Sequence, residues 1–311
     1  MYECECGETK YVPFRCKSRL CGCCGYQYQK FRAEKIKSKL IRCPHRHIVF
    51  TIAEELRYYF RKDRSLLNIL FQSTANTISE WLLSKNKKEE FKTGMIATIH
   101  TFGRDLKWNP HIHMLMPMCQ VGKFTPFKKI TFLPYDMLRK RFMTTLLYNL
   151  REHVSKSLVD DLYKKYPEGF YTNAPPKENI DLKQVVDYIT RYISRPAIAQ
   201  KRILKFENDE VTFYYEDHKT GERVEETVHV FEFIKKVIIH IPDRYFNMIR
   251  YYGLYATMND LFKLHRSLPP HVQRKANRWQ FRILCSFGVD PLQCKCGKMM
   301  RGTRIRYSNT S

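Results

Sequence analysis

A chain of 311 residues with 55 Lys and Arg against 31 Asp and Glu, a formal net charge of +24, can bury a substantial core and calls for a polyanionic partner, of which nucleic acid is the commonest. The cations are spread along the chain, no apolar run approaches the length of a membrane span, and no strongly basic amphipathic helix points to a membrane surface. Met1 runs directly into Tyr2-Glu3-Cys4-Glu5-Cys6 with nothing resembling a signal peptide, so the eleven cysteines are read in a reducing, cytoplasmic setting, where clustered thiols serve as metal ligands.

The cysteines concentrate at the front. Cys4-x-Cys6-Gly7 and Cys16-x4-Cys21-x2-Cys24-Gly25 predict a closed, structural Zn²⁺ site on a small knuckle or ribbon. Cys21 and Cys24 are the firmest pair, Cys6 comes next, and either Cys4 or Cys16 completes the tetrahedron. Glycine after cysteine lets the backbone turn toward a metal, and a segment this rich in Lys, Arg and Gly has little apolar surface with which to build a core otherwise. Arg15, Lys17 and Arg19 stand between the ligands and are expected to contact DNA phosphates.

From His45 the pattern changes. His47 to Ile52 is predicted as a strand, Ala53 to Leu83 as two helices broken near Asp63, and Thr93 to Phe102 as a second strand. After a loop carrying Gly103, Asn109-Pro110-His111-Ile112-His113-Met114-Leu115 reads as the start of a third. Alternation puts His111 and His113 on one face and Ile112 and Met114 on the other, which makes half of a metal site. A third ligand is available at His100, at the end of the preceding strand, or at Gln184. Such a set leaves positions open for a phosphate oxygen and suits Mn²⁺, or Mg²⁺ in cells.

Tyr135 to Tyr166 reads as helix interrupted by polar residues. Asp181 can cap a further helix that ends at Pro196 and sets Tyr188 and Tyr192 at i and i+4, with their hydroxyls on one face. A tyrosine that attacks a DNA phosphodiester keeps the bond energy in a phosphotyrosine link, and a cation with nearby guanidinium groups favours the phenolate and the charge at phosphorus. Tyr188 and Tyr192 are therefore candidate nucleophiles, with Arg191 assisting and Arg195 contacting DNA.

Val211 to Tyr215 and Glu226 to Val230 predict a hairpin, and Phe231 to Ile239 a short helix. His218 and His240 read as structural or phosphate-facing. Near the end, Cys294-Lys295-Cys296-Gly297 repeats the form of the front and reads as half of a second knuckle, with Cys285 a possible completion. The expected fold is α+β: an antiparallel sheet covered by helices, a small N-terminal zinc module and a C-terminal helical extension. Its parts are 1–44, 45–200 and a DNA-binding 201–311.

Taken together, Phe14-Arg15-Cys16-Lys17-Ser18-Arg19-Leu20-Cys21-x2-Cys24-Gly25, His100-Thr101-Phe102-Gly103-x-Asp105-Leu106-x2-Asn109-Pro110-His111-Ile112-His113 and Tyr188-x2-Arg191-Tyr192-Ile193-x-Arg195-Pro196 resemble the insertion-sequence-91 family of transposases, the HUH type with two tyrosines. Phe231-x-Phe233-Ile234, His240-Ile241-Pro242 and Ile249-Arg250-Tyr251-Tyr252-Gly253 extend the resemblance over nearly the whole chain. It implies an HUH palm with metal on His111 and His113 and nucleophiles at Tyr188 and Tyr192. It further implies a nick in single-stranded DNA at an element end, a 5′-phosphotyrosine intermediate and rolling-circle-like transfer to target DNA at the nucleoid. Replication initiators and relaxases are the nearest enzymatic alternatives, and a non-catalytic zinc-containing DNA-binding regulator is the alternative of another class. Members of the family usually carry sequence ahead of the zinc cysteines, so a shortened N-terminus is expected, and their two-residue spacing where this chain has Cys4-x-Cys6 leaves the fourth zinc ligand open.

Overall fold

Two short strands, β1 (Tyr2–Glu3) and β2 (Thr9–Lys10), precede the first long apolar alternation, which forms β3 (His45–Thr51). The computed structural model describes residues 1–11, 36, 40–173, 197–217, 220–256 and 290–302. Ile48 and Phe50 of β3 share a buried face with Met95, Ala97 and Ile99 of β4 (Gly94–Phe102) and with Ile112, Met114 and Met116 of β5 (Trp108–Pro117). Four helices supply the other side of that core: α1 (Arg57–Lys62), α2 (Leu66–Lys85), α3 (Tyr135–Leu150) and α4 (Lys156–Lys165). Leu67, Leu70, Phe71, Ile78 and Leu82 recur at helical spacing along α2, and Phe142 of α3 meets Phe50 edge-on with ring centroids 5.0 Å apart. The expected break near Asp63 is present, because Asp63 Oδ1 accepts the Ser65 N–H at 2.9 Å and turns the chain between α1 and α2. The interruption after Tyr135 falls at residues 151–155, where Ser155 Oγ accepts the Leu158 N–H at the start of α4.

A ribbon of β6 (Cys119–Gln120) and β7 (Lys128–Lys129) follows β5. The main sheet gains its edges from β8 (Thr172–Asn173) and, much later, β12 (Ile249–Gly253), giving the antiparallel order β12-β4-β5-β3-β8. The expected hairpin is a three-stranded sheet: β9 (Ile203–Glu207) pairs with β10 (Glu210–Glu216), which pairs with β11 (Arg223–His229). It carries its own core at Phe213, against which Phe233 and Val237 of α5 (Val230–Ile238) pack. Finally β13 (Arg301–Gly302) pairs with β1, in the order β13-β1-β2.

The molecule is thus α+β with antiparallel sheets. One compact unit gathers the two chain ends; the other runs from Leu40 to beyond β12. A boundary at residue 200 does not divide this fold, because β12 hydrogen-bonds to β4 from Ile249↔Thr98 to Gly253↔Gly94 and residues 290–302 belong with residues 1–11. The anticipated helical extension falls on residues 257–289, outside the described residues. Among the described residues no helix is long and apolar enough to cross a membrane.

Pro110 stands third in β5 rather than at its start. It is tolerated there because the β4–β5 register slips between His100 and Phe102, and because pairing with β3 stops at Thr51↔His111, so the missing N–H faces no ladder partner.

His45 ties the far end of β12 to β3. Its Nδ1–H donates to the Cys43 carbonyl at 2.8 Å, which leaves Nε2 to accept the Tyr255 hydroxyl at 2.7 Å. Burial drives the His45 pKa down to about 4, so the folded protein takes up this proton only well below the ordinary value of 6.5. The unfolded chain binds the proton first as pH falls. Stability is therefore complete above pH 6.5 and drains away between pH 6.5 and about 4, by about 1.4 kcal/mol per pH unit from this group. Urea midpoints across that range are expected to fall less steeply in a His45→Gln protein.

Candidate metal and nucleic-acid site

The face of the sheet opposite the core is set by the same alternation. His111 and His113 leave β5 on that face while Ile112 and Met114 are fully buried on the other. The ladder pairs His100 of β4 with His111, and the three imidazoles converge: ring centroids lie 4.5 Å apart for His100 and His113, 4.9 Å for His111 and His113, and 5.5 Å for His100 and His111. Their ligand nitrogens all fall within 4.8 Å of one another. Of the two candidates for a third ligand, the structure brings His100 to the pair. Gln184 lies outside the described residues, as do Tyr188, Arg191, Tyr192 and Arg195.

Hydrogen bonds fix which ring nitrogens are available. The Nδ1–H of His111 donates to the Asn109 carbonyl at 2.7 Å, leaving its Nε2 lone pair free to bind. His113 Nδ1 lies 3.0 Å from Nε2 of His47, whose ring stacks beside it with centroids 5.2 Å apart. For His113 to present Nε2 to a cation in the same way, its Nδ1–H must donate to His47. Burial, with the positive charge of a protonated His111 as a lesser cause, holds the His47 pKa down at about 3, so His47 is a neutral acceptor at physiological pH. His100 is stacked on Phe102, with rings 5.1 Å apart and nearly parallel. Burial and the nearby Arg57 both lower the His111 pKa, although its Asn109 bond works the other way.

Three converging imidazoles form a donor set that could hold a divalent metal ion, with coordination positions left for oxygen ligands. Asn109 Oδ1 is buried and has no hydrogen-bond partner among the described residues, an acceptor that the water of a hydrated cation would satisfy. His47 lay in a strand read for its apolar residues alone; the period-2 rule applied to that strand also puts it on the histidine face. Its expected role is to position His113. A His47→Phe protein should bind Mn²⁺ about 10- to 100-fold more weakly by titration calorimetry, while His47→Gln, whose amide oxygen accepts a hydrogen bond, should recover part of the loss.

A cavity of about 510 Å³ opens between α1, the β4–β5 loop and α5. Arg57, Arg61, Lys107, Lys235 and Lys236 outnumber Glu54 and Glu232 on its walls, and Trp108 with the exposed Tyr58 adds aromatic surface. Its ion pairs are at least partly exposed, Lys235 with Glu232 at 2.6 Å and Arg57 with Glu54 at 3.4 Å, so exchange for phosphate costs little. Cations interleaved with aromatic rings are what a single strand requires. His240 is structural: its Nε2–H donates to the Leu106 carbonyl at 2.9 Å, its Nδ1 accepts from the Thr101 hydroxyl at 3.1 Å, and its ring stacks on Trp108. His218 lies outside the described residues.

Among the described residues, Cys4 and Cys6 lie with Cys294 and Cys296, brought there by the pairing of β1 with β13. Cys16, Cys21 and Cys24, Arg15, Lys17 and Arg19, and Cys285 are outside the described residues.

A family model described as a putative transposase matches residues 94–261, the span that holds the three histidines, and one described as a transposase zinc-binding domain matches residues 1–52. The chain belongs to the insertion-sequence-91 transposase family. This transposase is 26% identical to the transposase for insertion sequence element IS801 of Pseudomonas savastanoi pv. phaseolicola, over 95% of the chain and 76% of that relative. It is 27% identical to the putative transposase y4qJ of Sinorhizobium fredii, over 80% of the chain and 68% of that relative. No solved structure matches it. The zinc-binding match supports a structural Zn²⁺ in the transposase, and the family makes DNA its substrate.

Proposed function

We propose that this transposase is an HUH-type nickase and strand transferase that cuts single-stranded DNA at an element end and joins it to target DNA by a rolling-circle-like route. The observation that carries the reading is the convergence of His100, His111 and His113, within 4.8 Å, in the span matched to the transposase family. The cavity lined by Arg57, Arg61, Lys107, Lys235 and Lys236 supports a path for the strand's phosphates.

A bound Mn²⁺ or Mg²⁺ would supply Lewis-acid polarisation of the scissile phosphate. His111, His113 and His100 would hold it, and the Asn109 carbonyl and His47 hold two of those rings. Tyr188 or Tyr192 attacks phosphorus through its hydroxyl oxygen, and the bond to the 3′ oxygen breaks. The phenolic proton passes to solvent, the departing oxygen takes one up from solvent to become a 3′ hydroxyl, and the 5′ phosphate stays on tyrosine. Arg191 stabilises the charge that develops at phosphorus, and Arg195 holds the flanking backbone. A free 3′ hydroxyl on target DNA then reverses the step and transfers the strand. Arg15, Lys17 and Arg19 of the zinc module add phosphate contacts.

The test is incubation with a labelled single-stranded oligonucleotide carrying an element end, with and without Mn²⁺. A denaturation-resistant protein–DNA adduct that needs the metal is expected. DNA binding indifferent to chelation, with no adduct under any condition, would instead make the protein a regulator.

A further inference from the structure

The turns that follow β1 and precede β13 are copies of one another. At the front, the Cys4 N–H donates to the Glu8 carbonyl at 2.9 Å and the Gly7 N–H to the Cys4 carbonyl at 2.9 Å. At the back, the Cys294 N–H donates to the Lys298 carbonyl at 2.9 Å and the Gly297 N–H to the Cys294 carbonyl at 3.0 Å. Gly7 and Gly297 close these turns with φ of +86° and +85°, a conformation that glycine alone enters freely. In each turn the N–H of the second cysteine points at the sulfur of the first, Cys6 to Cys4 and Cys296 to Cys294.

The two turns face each other through their thiols. Cys4 Sγ lies 3.5 Å from Cys296 Sγ, Cys6 Sγ lies 3.6 Å from Cys294 Sγ, and all four sulfurs fall within 4.8 Å of one another. Four thiolates at the Zn–S distance of about 2.3 Å stand about 3.8 Å apart on a tetrahedron, which is this spacing. A disulfide would need one pair drawn in to about 2 Å. Among the described residues, the apolar cluster at this join holds Met300 with Cys4 and Cys294, and Tyr2 packs against them. The charges are matched across the join as well, Glu5 pairing with Lys298 at 3.3 Å and with Arg301 at 3.4 Å.

We infer that one Zn²⁺ is held by Cys4, Cys6, Cys294 and Cys296, so that the C-terminal Cys-x-Cys-Gly turn completes a zinc site that the N-terminal turn opens. The zinc-binding domain matched at residues 1–52 is then one half of a ribbon whose other half arrives at the end of the chain, with the histidine-bearing unit inserted in sequence between them.

Zinc per chain, measured on the full-length protein by native mass spectrometry in reductant, tests this. Cys294→Ser with Cys296→Ser, Cys4→Ser with Cys6→Ser, and the fourfold variant should each lose the same single equivalent of zinc. An unchanged zinc content in the C-terminal pair, or a loss of two equivalents in the fourfold variant, overturns the inference. A second measurement needs no variant: in the wild-type protein, alkylation mapped by mass spectrometry should find Cys4, Cys6, Cys294 and Cys296 shielded together when zinc is present and exposed together when it is chelated. Equal alkylation of Cys294 and Cys296 in both conditions overturns it as well.

Discussion

With Tyr188 and Tyr192 both replaced by Phe, covalent capture of a single-stranded element end is expected to fall by roughly 10³-fold or more, to background, while noncovalent binding of the same oligonucleotide is kept. Phenylalanine preserves the ring and its packing and removes only the attacking oxygen, so an adduct that survived the double change would remove both residues from the chemistry. Each single change reports which hydroxyl the first step uses: the variant that still forms adduct retains that nucleophile. Arg191→Ala should lower the rate of adduct formation and leave the affinity for DNA close to wild type, because its charge is used as the phosphorus becomes more negative.

Removing the imidazoles has an effect of similar size by a different route. In a His111→Ala, His113→Ala protein only His100 of the converging three remains, and one imidazole does not hold Mn²⁺ at micromolar concentration. Wild-type protein at a hundred times its Mn²⁺ dissociation constant should be stabilised by about 2.7 kcal/mol, seen as a rise in melting temperature. The double variant should show no rise and no adduct at any metal concentration. His100→Ala separates the two third-ligand candidates, since wild-type Mn²⁺ affinity in that protein would return the role to Gln184.

The parts of this architecture that the sequence discloses are those decided within a few residues. His111-Ile112-His113 discloses its own faces, because alternation is a property of the strand itself and Ile112 and Met114 pull the other side into the core. Asp63 and Ser155 disclose helix breaks because their side chains act two or three residues away. His100 could only be a candidate: whether it meets His111 depends on a register slip between His100 and Phe102 that no local pattern announces. β9 went unread although Leu204-Lys205-Phe206-Glu207 alternates, because all five of its residues are exposed and no core depends on that alternation. The reunion of Cys4 and Cys6 with Cys294 and Cys296 is set by the pairing of β1 with β13 across almost the entire chain, and two Cys-x-Cys-Gly turns say nothing of which partner each will take.

The late arrival of β12 bears on how the protein is made. β4 lies between β5 and β12, and its strand mate on the second side is supplied by Ile249–Gly253. On the ribosome, some hundred and fifty residues are therefore translated while Met95, Ala97 and Ile99 sit on an open strand edge. During that interval the nascent chain is a template for pairing with its neighbours. A fragment ending at residue 200 should accordingly sediment as aggregates where one ending at residue 256 stays dispersed, and chaperone dependence of expression should ease once the codons for Ile249–Gly253 have been read.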